Sequence, residues 1–398
     1  MLTLALLGLL VLAVFALSAL VRVNGQVSAS SAAQLQARQN ALLALGIGLS
    51  ELQKNAGPDS RITGMAGVAG VPNAAASSTR YWTGVWRDDG TFVSWLTSGA
   101  IASNNAGTDT IELVATSSVG TASSTSVNVE KEHVIAGKIP IGILGTTVGK
   151  YAFVVLDEGS KLGAGSDGVT LANSNAVPRM SSGLLTNQLN LRTALQNNPA
   201  NVLKAVSFEQ LSMISTPALT PSVLQDTFHY VTRSNRFVSG GQLMTGAVNL
   251  NSTNTLLWRS ILDTYNSVTG VPQISASLVT SRGRAIGDGF AASNTGKSSG
   301  GPFTSVAGFS AYLATIFPGS SSPTAAQIVQ ALGAMLQVRS DTFRIRAYGE
   351  ALNAVDSTQT EAVAYCEAIV QRTPDTAPNG LGRRFVVTYF RWLGPGDI

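Results

Sequence analysis

Residues that could do chemistry are few and scattered in this 398-residue chain. Gly163 to Gly168 read GAGSDG, which fits the G-x-G-x-x-G string whose glycines let a backbone approach a pyrophosphate at a helix N-terminus. No helical pattern follows it, so it reads as a turn. Ala291 to Ser298 read AASNTGKS, a near match to a phosphate-binding loop, but Ala291 stands where the first glycine is required and no strand leads in. The two histidines, His133 and His229, are far apart and neither has a second histidine at ligand spacing. No G-x-S-x-G elbow marks a nucleophile. Asp157, Glu158 and Asp167, with glycines between them, could cup a calcium ion, although their spacing is not that of an EF-hand and a polar hairpin explains them as well. Cys366 is the single cysteine; it cannot form an internal disulfide and reads as a small buried hydrophobe on a strand. Tyr81, Trp82, Trp86, Trp95, Tyr389, Phe390 and Trp392 read as core and strand-pair residues before they read as a sugar platform. The residues thus assign no catalytic group, no cofactor and no metal, with calcium as the one candidate ligand.

Composition points the same way. Charged residues make up 12% of the chain, well under the roughly 25% of a typical soluble domain. Glycine is plentiful, with 40 residues, and small uncharged polar residues recur. That surface suits extracellular, glycosylated or self-associating proteins, because such residues lose little on desolvation. A net charge of +4 without a basic stripe excludes nucleic acid as a main partner.

The elements that must position everything begin with a helix. Met1 to Val21 carry no charge and would span about 31 Å at 1.5 Å per residue, the thickness of a bilayer's hydrocarbon. A secretory signal peptide should open with a basic region and end at a small-residue cleavage site, whereas this stretch is apolar from its first residue. From Gln26 to Lys54 there is no proline, and Leu35, Leu42, Leu45, Leu49 and Leu52 form one stripe of an amphipathic helix. Ala56, Gly57 and Pro58 should stop it, giving a rod of about 80 Å. Val23-Asn24-Gly25 predicts a kink or local unwinding.

Beyond Pro58 the pattern is mainly β. Short runs at Tyr81 to Trp86, Thr91 to Leu96, Thr110 to Ala115, Ser124 to Val129, Lys138 to Leu144 and Tyr151 to Asp157 predict an antiparallel meander, with a hairpin turn at Asp88-Asp89-Gly90. Residues 162–340 are less regular. Val202 to Ile214, Thr304 to Phe317 and Thr324 to Gln337 predict helices, the last begun by Ser322-Pro323 with Ile328, Leu332 and Met335 on one face, while Ser293 to Gly301 predicts a loop. Thr342 to Ala351, Glu361 to Arg372 and Arg384 to Leu393 predict long strands that close a sheet with the first run. The expected fold is α+β, divided into an N-terminal helix over 1–56, a β-rich first part of a head over 57–161, an irregular elaboration over 162–340 and closing strands over 341–398. No repeat of fixed period argues for a solenoid.

A helix of fifty-odd residues, apolar in its first half and amphipathic in its second, resembles the type IV pilin superfamily. ARQNALLALGIGLSELQKNAGPDSRIT (Ala37 to Thr63), YWTGVW (Tyr81 to Trp86), YAFVVLDEGSK (Tyr151 to Lys161), VRSDTFRIRAYGEA (Val338 to Ala351), AYCEAIVQRTP (Ala364 to Pro374) and RRFVVTYFRWLGPGDI (Arg383 to Ile398) are similar to the Verru_Chthon cassette protein A family, large pilin-like proteins of Verrucomicrobia. The resemblance implies a short basic leader removed by a prepilin peptidase, with Met1 as the processed N-terminus. It also implies a head laid over the second half of the helix, which places Leu35, Leu42, Leu45, Leu49 and Leu52 at helix-head packing positions. Most bacterial pilins carry Glu at the fifth mature position; here Ala5 stands there, as in tip-type minor pilins and many archaeal filament subunits.

The function this resemblance implies is that of a structural subunit, not an enzyme, in an extracellular pilus-like filament. Met1, Ala5, Gly8, Leu12, Ala13, Phe15, Ala16 and Leu20 would pack its core, small residues letting neighbouring helices approach. Partners would be copies of itself, the inner membrane before assembly, the prepilin peptidase and the pilus assembly machinery. Two alternatives stay open: a minor or tip pilin or type II secretion pseudopilin, and a membrane-anchored extracellular adhesin.

Overall fold

A computed structural model describes residues 2–69, 78–99, 108–114, 133–143, 145–163, 210, 228–229, 231–233, 236–239, 242–245, 247–266, 268, 270–291, 301–320, 322–353, 355–394 and 397. The predicted strand Ser124 to Val129, nearly all of the predicted helix Val202 to Ile214, most of the GAGSDG and AASNTGKS strings and most of the Ser293 to Gly301 loop lie outside these residues.

Helix α1 runs from Leu2 to Ala56 and is unbroken through Val23-Asn24-Gly25, where the sequence predicts unwinding. A glycine costs only about 1 kcal/mol against alanine in a helix, less than the several backbone hydrogen bonds a break would forfeit. The helix stops where expected. Gly57 still donates its N–H to the Gln53 carbonyl, and Pro58 has no N–H with which to continue the ladder.

After α1 come strands β1 (Arg61–Met65), β2 (Thr83–Arg87) and β3 (Phe92–Trp95), which form a three-stranded antiparallel sheet. The β2–β3 turn is the predicted one: Thr91 donates its N–H to the Asp89 carboxylate, and Gly90 takes a φ of 84° that disfavours a side chain. Strand β4 (Thr110–Val114) pairs with β5 (Val134–Gly137). Strands β6 (Ile139–Ile143) and β7 (Thr146–Asp157) follow as a hairpin. The expected single meander is therefore divided, and of this run only β6 and β7 join the closing strands. The three-stranded sheet is buried over most of β1 and β2, which seats it between layers. Beyond β3 the chain continues alongside β7, Val155 donating to the Leu96 carbonyl and Ser98 to that of Phe153.

Short strands β8 (Leu162–Gly163) and β9 (Val231–Thr232) pair in parallel, β10 (Arg236–Ser239) and β11 (Gln242–Thr245) form a hairpin, and β12 (Val248–Asn249) pairs in parallel with β13 (Leu336–Gln337). Between β12 and β13 lie helices α2 (Thr255–Asn266), α3 (Ala276–Ala291), α4 (Val306–Ile316) and α5 (Ala325–Leu332). Helices α4 and α5 are the predicted pair, although α5 begins at a Thr324–Gln327 capping box and ends at Leu332, five residues early. Helices α2 and α3 escaped prediction. The first carries a buried stripe of Leu257, Trp258, Ile261, Leu262 and Tyr265. The second contains Gly283 and Gly287, where a β-carbon would collide with Arg259 and Thr255, so its glycines serve a close helix crossing rather than a loop.

Strands β14 (Thr342–Leu352), β15 (Thr360–Thr376) and β16 (Arg383–Leu393) complete a five-stranded antiparallel sheet in the order β16-β15-β14-β7-β6. On one side, Phe153, Val155, Phe343, Ile345, Ala347, Cys366, Ala368 and Val370 pack against the second half of α1. On the other side an aromatic-rich core joins the small sheets and α2–α5. The fold is α+β, a long N-terminal helix with a mainly antiparallel β head.

Candidate assembly interface

The first half of α1 stands clear of the head. Every described side chain from Thr3 to Ala32 is exposed, and no charge occurs before Arg22. The helix is long and apolar enough to cross a membrane. Gly8, Leu12, Ala13, Phe15, Ala16 and Leu20 all lie on this exposed surface. Met1 and the side chain of Ala5 lie outside the described residues.

The second half is held differently. Its contact stripe is Ala33, Ala37, Ala41, Ala44, Leu52 and Ala56, all buried. Alanines bring backbone close to backbone: a β-carbon at Gly349 of β14 would collide with the Ala41 nitrogen and the Ala37 carbonyl. Polar side chains pin the two ends. Asn40 donates to the Glu350 carbonyl at 2.8 Å, while Gln53 donates to the carbonyls of Leu381 and Arg383 and accepts from the Phe385 N–H. Of the predicted helix-head leucines, Leu52 is buried in this contact, and Leu45 and Leu49 are partly buried against it. Leu35 and Leu42 are not under the sheet; they are 59% and 45% exposed. The reason is distance. With alanine at the contact the helix sits too low over β14 for leucine, and the leucine stripe rolls to one flank. The signal was present in the sequence as Ala33, Ala37, Ala41 and Ala44, spaced by four, four and three.

Candidate chemical groups are spent on structure. Asp157 accepts from the Gly159 N–H and the Asn249 amide, at 2.7 and 3.0 Å. Glu158 accepts from Lys161, Arg344 and Thr232. A calcium ion needs acceptor oxygens, and these two carboxylates already face N–H and cationic donors; Asp167 lies outside the described residues. Among the described residues no group of three or more His, Cys, Asp or Glu could hold a metal. His133 sits 3.9 Å from Glu112, and His229 is buried with its ring stacked on Tyr81. Burial and the neighbouring Glu367 charge push the Cys366 thiol up to about 12, which leaves it un-ionised and inert. Trp82, Trp86 and Trp95 are core residues, whereas Phe390 and Trp392 on β16 are 39% and 38% exposed.

Beneath the sheet, on the side away from α1, lies a dry ionic cluster that sequence reading missed. Glu367 accepts from Arg344 at 2.6 Å, Arg346 at 2.8 Å and Arg391 at 3.3 Å, and Arg344 also reaches Glu158 at 3.0 Å. The Phe228 ring lies 4.5 Å from both the Lys161 ammonium and the Arg346 guanidinium. Burial raises the Glu158 carboxyl, but Lys161 and Arg344 outweigh it and bring it down to about 2. Glu367 follows the same balance, its three arginines holding it well below the carboxylate range. Both carboxylates of the cluster thus face cationic or hydroxyl donors.

No protein-family model and no curated protein matches the chain. Among solved structures it is similar to a chain of the GspK-GspI-GspJ complex from the enterotoxigenic Escherichia coli type 2 secretion system, at 12% identity with a TM-score of 0.33, over 65% of this chain and 84% of that one. In this chain one long helix, bare and apolar in its first half, bears a mainly antiparallel head on its second.

Proposed function

We propose that the chain is a structural subunit, a mature pilin, of an extracellular type IV pilus-like filament, and that it belongs with the Verrucomicrobial pilin-like proteins its sequence resembles. The observation that supports this reading most is the bare, uncharged first half of α1, about 30 Å of helix by its rise, beside a head whose own core is complete without it. Before assembly that segment resides in the inner membrane, where the assembly machinery and a prepilin peptidase act on it. In the filament it exchanges lipid for sibling helices. Because lipid is as apolar as leucine, the gain comes from close packing, which Gly8, Ala13 and Ala16 permit.

Gly8→Arg and Ala13→Arg are expected to abolish filaments in electron micrographs of sheared surface material, while circular dichroism of the detergent-extracted chain stays that of the unchanged protein. Filaments of normal length from either variant would end the packing proposal. A second reading, a minor or tip subunit or a secretion pseudopilin, draws on Ala5 in place of the glutamate that most bacterial pilins carry. Quantitative mass spectrometry separates the two: a shaft subunit dominates purified fibres, and a tip subunit contributes about one copy to each. Chains that stayed monomeric and lipid-embedded would instead fit an anchored adhesin.

A further inference from the structure

Helix α1 crosses the long sheet over β14 and β15 and leaves the helix-facing side of the edge strand β16 open. Two contacts show which flank of α1 overhangs that strand. The Arg38 guanidinium lies 5.5 Å over the Trp392 ring, and Gln53 bonds to Arg383 and Phe385. Between them Leu42, Leu45 and Leu49 follow at steps of four, three and four, so all five residues occupy one helical stripe, and Leu35 extends it by three.

Register fixes the floor. Val387 stands opposite Val370, Phe390 opposite Ala368, and Trp392 opposite Cys366. Those three partners belong to the core under α1, so Val387, Phe390 and Trp392 face the same side. They remain 44%, 39% and 38% exposed. The result is an apolar trough, walled by leucines and floored by β16, running beside α1 from Leu35 to Leu49, about 21 Å by the helical rise. None of these residues is acidic.

We propose that this trough receives the apolar first half of α1, Leu6 to Val21, from a second copy of the chain. The inference rests on the filament reading and names where one subunit's helix meets another's head. Charge permits it: the leucine wall and the Val387, Phe390 and Trp392 floor carry none, and the one ion on the stripe, Arg38, lies over the Trp392 ring at one end. Length agrees too, for Leu6 to Val21 rises about 22 Å. Size argues for a repeated contact: the exposed apolar surface of these side chains amounts to roughly 500 Å², short of the ~800 Å² per partner of a stable free-standing complex. The contact is also heterologous, the first half of one copy on the second half of another, a pairing that can propagate as an open helical array.

The test uses the full chain in cells that make the filament. A photo-crosslinking amino acid replaces Leu42 or Phe390, with Leu43, exposed but off the stripe, as the control position. The expected product has twice the subunit mass, with its cross-linked peptide within residues 6–21, and is at least ten-fold weaker from position 43. A product joined to another protein, or to the head of a second copy, overturns the assignment. In parallel, Leu42→Glu and Phe390→Glu are expected to lower filament yield ten-fold or more, with Leu42→Ser and Phe390→Ser taking their place if circular dichroism shows a misfolded head. Wild-type filament yield from folded trough variants, alongside loss of filaments in Gly8→Arg, would sink the trough and leave the filament standing. Absence of polymer from the unchanged chain would remove both.

Discussion

Strand β14 shows two ways of holding one sheet. Phe343, Ile345, Ala347, Gly349 and Ala351 face α1, while Thr342, Arg344, Arg346, Tyr348 and Glu350 alternate with them on the opposite side, and every position of the strand is buried. The helix side is held by shape: alanine and glycine let backbones meet, and most contacts are dispersion. The far side is held by charge, with Glu367 and Glu158 dry among Arg344, Arg346 and Lys161. The two faces tolerate different changes. A face held by shape fails when something is added; a face held by paired charges fails when one partner is taken away.

The largest expected effect is on the charged side. Glu367→Ala takes the carboxylate from Arg346 and leaves Arg344 with Glu158 alone, and should cost about 3–5 kcal/mol in urea unfolding of the detergent-solubilised chain. A loss under about 1 kcal/mol would show that the arginines find other partners and that the contrast between faces is false.

Next in size is a pair of opposed pH effects. Glu158 is depressed to about 2 from an ordinary 4.5, so its contribution is present above pH 4.5 and is lost as the pH falls toward 2. Asp157 runs the other way. Burial raises it to about 6 from 3.8, against hydrogen bonds from Ser340, Gly159 and Asn249, so the folded chain holds a proton that the unfolded chain releases. Its contribution is fully present below pH 3.8 and is lost as the pH rises through 6, a change of about 3 kcal/mol. Unfolding free energy of the wild type should therefore decline between about pH 5 and 7, where Glu158 and Glu367 are ionised in both states, and Asp157→Asn should flatten that decline. An identical slope in the variant would remove Asp157 as its source.

The smallest effect belongs to the helix side. Gly349→Ala places a methyl group against the backbone of Ala37 and Ala41, forcing α1 off the sheet at a cost of about 1–3 kcal/mol. Unchanged stability, read as the midpoint of thermal unfolding, would mean that the helix is not seated by this close approach.

Much of the frame was legible. The α1 boundary at Gly57-Pro58, the strands around Tyr151, Phe343, Tyr365 and Val387, and helices α4 and α5 follow from periodicity and from residues that stop a ladder. Helix α3 did not, because Gly283 and Gly287 weaken a helical pattern and find their reason only when α2 lies against them. The leucine stripe was real, but its place was not: Leu35 and Leu42 form a side wall because the alanines beside them fit closer to β14. Arg344, Arg346, Tyr348 and Glu350 alternate along β14, and nothing local says that Phe228 and Glu158 will cover them.

By itself, then, the sequence determined the rod, its uncharged first half and the strand character of the closing segments, because these depend on local rise, period and chain stiffness. Tertiary structure alone decided which stripe of the rod meets the sheet, which face of β14 stays dry and which edge is left open. Those outcomes depend on how closely two backbones can approach and on which distant charges arrive together, and neither quantity is encoded within one turn or one strand.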